Sequence, residues 1–178
     1  MKQTPLIRTL VIILILSLNI GCDQVSKAIV RNKIQYGHQL PLLDAHFTLL
    51  RVENSGAFLS LGDSLSGPLK TILLNLLPLI AVGYGLFFIF TRKNIDNMIL
   101  FAVILIVGGG IGNLYDRIAY GSVTDFMHIK FGVLQTGVFN VADMSIMAGM
   151  FIILFHAWFK KKPAEAEVDK PASEETPA

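Results

Sequence analysis

Four apolar runs separated by short polar stretches organise the chain. They are Leu6–Ile20, Thr71–Phe90 ("TILLNLLPLIAVGYGLFFIF"), Met98–Gly112 ("MILFAVILIVGGGIG") and Phe139–Phe159 ("FNVADMSIMAGMFIILFHAWF"). A helix needs about 20 mostly apolar residues to cross the hydrocarbon core of a bilayer. The pattern therefore predicts four transmembrane helices over about 6–27, 69–90, 98–119 and 139–159, the first and third extended past their apolar runs by "GCDQVSK" and "NLYDRIAY". Two longer polar segments remain, about 31–67 and 121–137. Within them "HFTLLRVEN" (His46–Asn54) and "SVTDFMHIKF" (Ser122–Phe131) have the β-branched and apolar content of strands. The expected fold is an all-α membrane protein of four transmembrane helices, with a small extracytoplasmic β element on its outer surface. It occupies residues 1–162 as one domain, and the tail 163–178 ("PAEAEVDKPASEETPA") has no apolar face to bury and is expected to be disordered.

Composition agrees: the 178 residues are 53% hydrophobic and 16% charged, against roughly 25% charged in soluble domains. A formal net charge of +2 gives no argument for a nucleic-acid partner, and one cysteine, Cys22, allows neither a disulfide framework nor a thiolate metal cluster. Lys2 and Arg8, Arg92 and Lys93, and Lys160–Lys162 fall on one side of a four-span arrangement, which reads as cytoplasmic with both termini inside. Lys27, Arg31, Lys33, Arg51, Lys70 and Lys130 on the other side weaken the asymmetry.

The stretch "LSLNIGCDQVSK" (Leu16–Lys27) resembles the export signal of a bacterial lipoprotein, cut before its cysteine. Such a signal favours Leu three residues before the cysteine, where this chain has Asn19, and cleavage would leave three spans and no sizeable soluble domain. The segment reads as a retained first helix, with Cys22 a buried apolar side chain.

Ionisable residues are costly in lipid and mark a protein interior or a watery site. Asp23 and Lys27 are four apart on one helix face; Asn113, Asp116 and Arg117 cluster near the end of span three; Asn140 and Asp143 open span four; Asp125 lies between. All converge on the outer side. Each has an ordinary reading too. Asp23–Lys27 serves as an interfacial ion pair, Arg117 snorkels while pairing with Asp116, and Asn140 caps a helix with Asp143 in its first turn. Gly108–Gly112 either lets helices approach closely or admits a substrate backbone. His46, His128 and His156 are not spaced as metal ligands, and His156 reads as packed near the inner face. Asp125 and Asp143 are the pair that could share one proton, the ionised member activating water and the protonated one holding a carbonyl oxygen. Spacing alone does not bring them together. A proton-coupled transporter and a lipoprotein-like anchor are the rival readings, the first expecting charges near mid-membrane, the second a mature protein beginning at Cys22.

"DQVSK" (Asp23–Lys27), "ENSGAF" (Glu53–Phe58), "GGGIGNLYDRIAYGSVTDF" (Gly108–Phe126) and "FNVAD" (Phe139–Asp143) resemble, in order and spacing, the motifs of the lipoprotein signal peptidase family, also called signal peptidase II. The resemblance covers all but the tail. It implies a bacterial intramembrane aspartic endopeptidase of the cytoplasmic membrane with its site at the outer, periplasmic face. Such an enzyme removes signal peptides from prolipoproteins whose cysteine carries a diacylglyceryl group, cutting just before that cysteine. It implies Asp125 and Asp143 as the catalytic dyad and Asp23, Lys27, Asn54, Gly56, Asn113, Arg117 and Asn140 as residues that shape or brace the site. Prolipoproteins and membrane lipid are the expected partners, with no cofactor, no metal and no nucleic acid, and the chain is expected to act as a monomer. His128 after the "DF" and "GAFL" in place of two alanines depart from the common pattern and bear on substrate preference. The helix dipole at the start of span four further suggests Asp143 as the ionised base and Asp125 as its protonated partner.

Overall fold

The computed structural model describes residues 4–43, 46–56 and 67–160. The expected tail, Lys2, Lys161, Lys162 and the "AFL" of Ala57–Leu59 lie outside the described residues. Four helices are long and apolar enough to span a membrane: α1 (Pro5–Lys33), α2 (Gly67–Thr91), α3 (Asn97–Tyr120) and α4 (Val141–Lys160). Four strands, β1 (Gln39–Leu42), β2 (Phe47–Asn54), β3 (Val123–Phe131) and β4 (Leu134–Gln135), form one antiparallel sheet in the order β1-β2-β3-β4. The last three expected spans and both expected strands fall within two residues of these elements, whereas α1 continues past its expected end to Lys33, into the segment read as an outer loop; β1 and β4 are additional.

α3 is the centre of the bundle. It touches the other three helices, and half of its apolar window is buried, against 11–17% for the others. Its glycines make this possible. A Cβ on Gly108 would lie 2.6 Å from the amide nitrogen of Asn19, one on Gly109 would meet the carbonyl of Ala142, and one on Gly112 would meet the carboxylate of Asp23. The glycine run therefore serves close approach of α1 and α4 to α3.

Along α1 the buried positions are Ile12, Leu16, Asn19, Asp23, Lys27 and Val30, a stripe at spacings of three and four. The stripe is apolar in the first half, where Ile12 and Leu16 pack with Ile89, Leu100, Ile104 and Val107, and polar in the second. Leu10, Leu14, Leu18 and Val25 point outward, the inverse of a soluble helix and the arrangement a lipid solvent selects. Cys22 is exposed on that outer side, not buried as expected, because it neighbours the buried Asp23 and the next residue on a helix turns by about 100°.

α2 contains a π-helical turn, Ile72–Leu76, in which Leu77 N–H reaches back to the carbonyl of Ile72. Pro78 follows at once; its ring clashes with an α-helical carbonyl four residues back, and a widened turn relieves this. α3 ends at Gly121 with φ +78°, its N–H bonded to the Arg117 carbonyl at 3.0 Å. That left-handed residue turns the chain directly into β3.

The sheet sits at the end of the bundle where α1 and α3 finish and α4 begins. Both described termini lie at the opposite end, where Arg8 bonds the carbonyls of Ile89 and Arg92 and Lys160 lies 3.7 Å from Asp96.

Candidate active site

Asp125 lies on β3 and Asp143 in the first turn of α4. What brings Asn54 to Asp125 is a bulge in β2. Leu49 pairs with Met127 but Val52 pairs with Asp125, so β2 gains one residue on its partner. Side chains alternate along a strand, and one extra residue swaps their faces. The bulge moves Val52 and Asn54 onto the face of Asp125, and leaves Glu53 opposite Thr124 on the other face.

Three asparagines then hold the two carboxylates. Asn54 Nδ2 donates to Asp125 Oδ2 at 2.9 Å, and Asn140 Nδ2 donates to Asp125 Oδ1 at 2.6 Å. Asn113 Nδ2 donates to Asp143 Oδ1 at 2.8 Å, and the backbone N–H of Asn140 donates to Asp143 Oδ2 at 3.1 Å. Each amide is oriented by what its oxygen must accept. Asn54 Oδ1 takes the N–H of Gly56 at 3.0 Å, Asn140 Oδ1 takes the N–H of Asp143 at 2.9 Å, and Asn113 Oδ1 takes the ammonium of Lys27 at 2.9 Å. Lys offers donors only, so the Asn113 nitrogen is left for Asp143. The Asn140–Asp143 pair is also a reciprocal cap on α4; the helix-start reading and the site reading describe the same bonds.

Behind the asparagines lies a buried charge cluster. Lys27 is fully buried, 2.8 Å from Asp23, 3.0 Å from Asp116 and 2.9 Å from Asn113, which uses all three of its protons. Asp116 also meets Arg31 at 2.8 Å, and Asp23 Oδ1 accepts the N–H of Ala142 at 2.9 Å. Two acids face two bases, so the cluster is neutral. Asp23–Lys27 is thus not an interfacial pair but a buried one. The expected Asp116–Arg117 pair is not among the contacts, because consecutive helical residues diverge. Asp116 turns to Lys27 and Arg31, whereas Arg117 donates to the Gly56 carbonyl at 3.1 Å. Arg117 Nε is buried without a hydrogen-bond partner among the described residues.

All nine residues singled out in the sequence converge here. Gln24, Arg31, Glu53 and Thr124 complete the network and were not foreseen. Arg31 Nε donates to Thr124 Oγ1 at 2.8 Å, Thr124 Oγ1 lies 3.1 Å from Glu53 Oε2, and Gln24 Nε2 bridges Asp23 and Asp116 at 3.0 and 3.2 Å. Arg31 lies in a segment read as loop, where charge signals only exposure; Glu53 opens the quoted motif "ENSGAF" but was given no role there.

Asp125 is 3% exposed. Burial pushes its carboxyl up to about 6, against the bond from Asn54, and the nearby Asp143 adds to the rise. Asp143 is half-buried and forms part of the wall of an apolar hollow of about 250 Å³ with Phe139, Met144 and Met147. Among the described residues no three His, Cys, Asp or Glu side chains converge as metal ligands do.

The family model "Signal peptidase (SPase) II" matches residues 13–159 of the chain. The chain belongs to the signal peptidase II family. It is 32% identical over 155 residues to the lipoprotein signal peptidase of Borrelia duttonii (84% of this chain, 90% of that one). It is 33% identical over 151 residues to that of Clostridioides difficile (84% and 97%) and 36% over 144 residues to that of Pseudoalteromonas translucida (80% and 85%). A bacterial membrane enzyme structure obtained by the in meso method superposes with a TM-score of 0.75 at 25% identity, over 89% of this chain and 94% of that one. Membership makes the chain a lipoprotein-processing protease with membrane-spanning helices.

Proposed function

We propose that this chain is an aspartic endopeptidase that cuts prolipoproteins just before their diacylglyceryl-modified cysteine, with Asp125 and Asp143 as the dyad. One observation carries the reading: Asn140 bonds both carboxylates, Asp125 through its side chain and Asp143 through its backbone. Two carboxylates held this way do not both ionise easily. Asp125, 3% exposed and raised to about 6, is the one proposed to keep the shared proton; Asp143, half-buried and in the first turn of α4, is the base.

Asp143 takes a proton from water while the water oxygen bonds to the scissile carbonyl carbon and Asp125 protonates the carbonyl oxygen. The C–N bond then breaks as Asp143 returns its proton to the leaving amine, and Asp125 recovers its own as the carbonyl re-forms. Arg117, whose Nε has no hydrogen-bond partner among the described residues, lies close enough to both carboxylates to interact with them electrically. It is suited to hold a substrate carbonyl. The apolar hollow against Asp143 suits a signal peptide arriving sideways from lipid.

Arg8, Arg92, Lys93 and Lys160 at the end away from the sheet support a cytoplasmic position for that end. The dyad then lies at the periplasmic face of the inner membrane. The test is a gel-shift cleavage assay on a diacylglyceryl-modified prolipoprotein in liposomes, comparing the wild-type chain with Asp125→Asn and Asp143→Asn. Both variants should bind substrate and not cut it. Near wild-type turnover by either would remove that aspartate from the mechanism.

A further inference from the structure

The end of the bundle opposite the sheet plays no part in the reaction above, yet it carries two adjoining hollows of contrasting chemistry. The first, about 620 Å³, is wholly apolar in its walls, among them Met98, Phe151, Phe155, Trp158 and Phe159. The second, about 570 Å³, is mixed, its apolar walls rimmed by Thr91, Arg92, Lys93, Asn94 and Lys160 with Asp96 beside them. Sequence neighbours divide between them: Met98 and Ile99, Phe155 and His156, Phe159 and Lys160. The two hollows therefore share walls formed by the first turn of α3 and the last turns of α4.

The charge here is one-sided. Arg8, Arg92, Lys93 and Lys160 surround this end, and Asp96 is the one carboxylate there among the described residues. Asp96 is committed to capping α3 through the N–H of Met98 at 2.9 Å, with His156 at 3.9 Å and Lys160 at 3.7 Å. Arg8 already closes the free carbonyls of Ile89 and Arg92. Arg92 and Lys93 are left exposed in the α2–α3 turn, beside hydroxyl and amide donors of Thr91 and Asn94. A basic rim continuous with a dry groove at helix-end depth matches a molecule that is anionic at one end and alkyl at the other.

We propose that this end binds one anionic phospholipid, its phosphate against Arg92, Lys93 and Lys160 and an acyl chain along the groove under Trp158. The reading is independent of where peptide bonds are cut. Lys and Arg near a membrane surface each favour anionic lipid severalfold, so a selectivity on the order of 10-fold to 100-fold over a zwitterionic lipid is expected.

The full chain in detergent micelles, given equimolar phosphatidylglycerol and phosphatidylcholine of identical acyl chains, is read by native mass spectrometry. Phosphatidylglycerol should be retained at least about tenfold over phosphatidylcholine. Arg92→Gln/Lys93→Gln should bring the ratio close to one without changing the lipid-free melting temperature. Lys33→Gln, at the other end, should leave it intact. A ratio that survives the double change, or falls equally with Lys33→Gln, overturns the site in favour of diffuse charge attraction. Displacement of the lipid by glycerol phosphate alone overturns the lipid assignment, since the groove would then hold nothing.

Discussion

Asn140 is bound to Asp125 by a 2.6 Å hydrogen bond from its amide nitrogen, while its oxygen and backbone N–H close the cap that holds Asp143. Ser is as good a helix cap as Asn but has no amide to spare. Asn140→Ser should therefore keep stability within about 1 kcal/mol and lower kcat on the order of 100-fold, the low end of what a placed proton-transfer group supplies. Thermal melting and turnover of a lipidated substrate separate the two. Equal losses in both would make Asn140 a cap and nothing more.

Lys27 orients Asn113 and neutralises Asp23 and Asp116. Lys27→Met leaves buried acids uncompensated, and such breaks cost roughly 3–5 kcal/mol. Adding Asp23→Asn rebalances the cluster, since Arg31 still faces Asp116 at 2.8 Å. The double variant should recover most of the melting temperature but not the activity, because the Asn113 amide then loses the ammonium that orients it and keeps only the 3.2 Å bond from Asn140 Nδ2. Recovery of both together would show that Lys27 acts through stability alone.

Asp125 has its carboxyl raised from 3.8 to about 6, chiefly by burial. The folded chain thus holds this proton more tightly than the unfolded one. The group costs nothing while both states are protonated, and its penalty grows as pH rises from about 4 to 6 and is constant above, on the order of 3 kcal/mol. Asp125→Asn should accordingly raise the melting temperature more at pH about 8 than at pH about 5. With Asp125 as the protonated partner, kcat/KM should fall on the alkaline side. Asn54→Ala, which removes a bond that favours the ionised form, should move that limb to higher pH. A limb moving to lower pH contradicts the assignment, and the values read belong to the coupled pair.

The glycines of α3 give a graded series. Gly112→Ala drives a methyl onto Asp23 and Gly109→Ala drives one onto the Ala142 backbone, where overpacking typically costs 1–3 kcal/mol. Gly21→Ala on α1 meets nothing within 4 Å and should be neutral or slightly stabilising. Chemical denaturation of the three in one detergent would rank them.

The helices were legible because about 20 apolar residues in lipid leave the backbone one solution. That Asp23, Lys27, Asn113, Asn140 and Asp143 gather at one side was legible too, since each falls at the same end of its span; that Asp125, on β3, meets Asp143 there was not. The β2 bulge was not. A one-residue insertion leaves no mark in "HFTLLRVEN", yet it decides whether Asn54 or Glu53 faces Asp125. Arg31 and Thr124 were missed for a related reason: their partners come from strands and helices distant in sequence, and pairing across such distances has no period to read. Cys22 was misread because hydrophobic character in a membrane does not say which side is protein.

One carboxylate rides on a strand and the other on a helix, and the residue that ties them begins that helix. A chain emerging into the membrane can form each span on its own, but the pair of acids exists only once β3 has docked on the finished bundle. In the proposed reaction cutting therefore depends on the packing of the sheet against the bundle, and a change that loosens β3 would part the two acids without touching either of them.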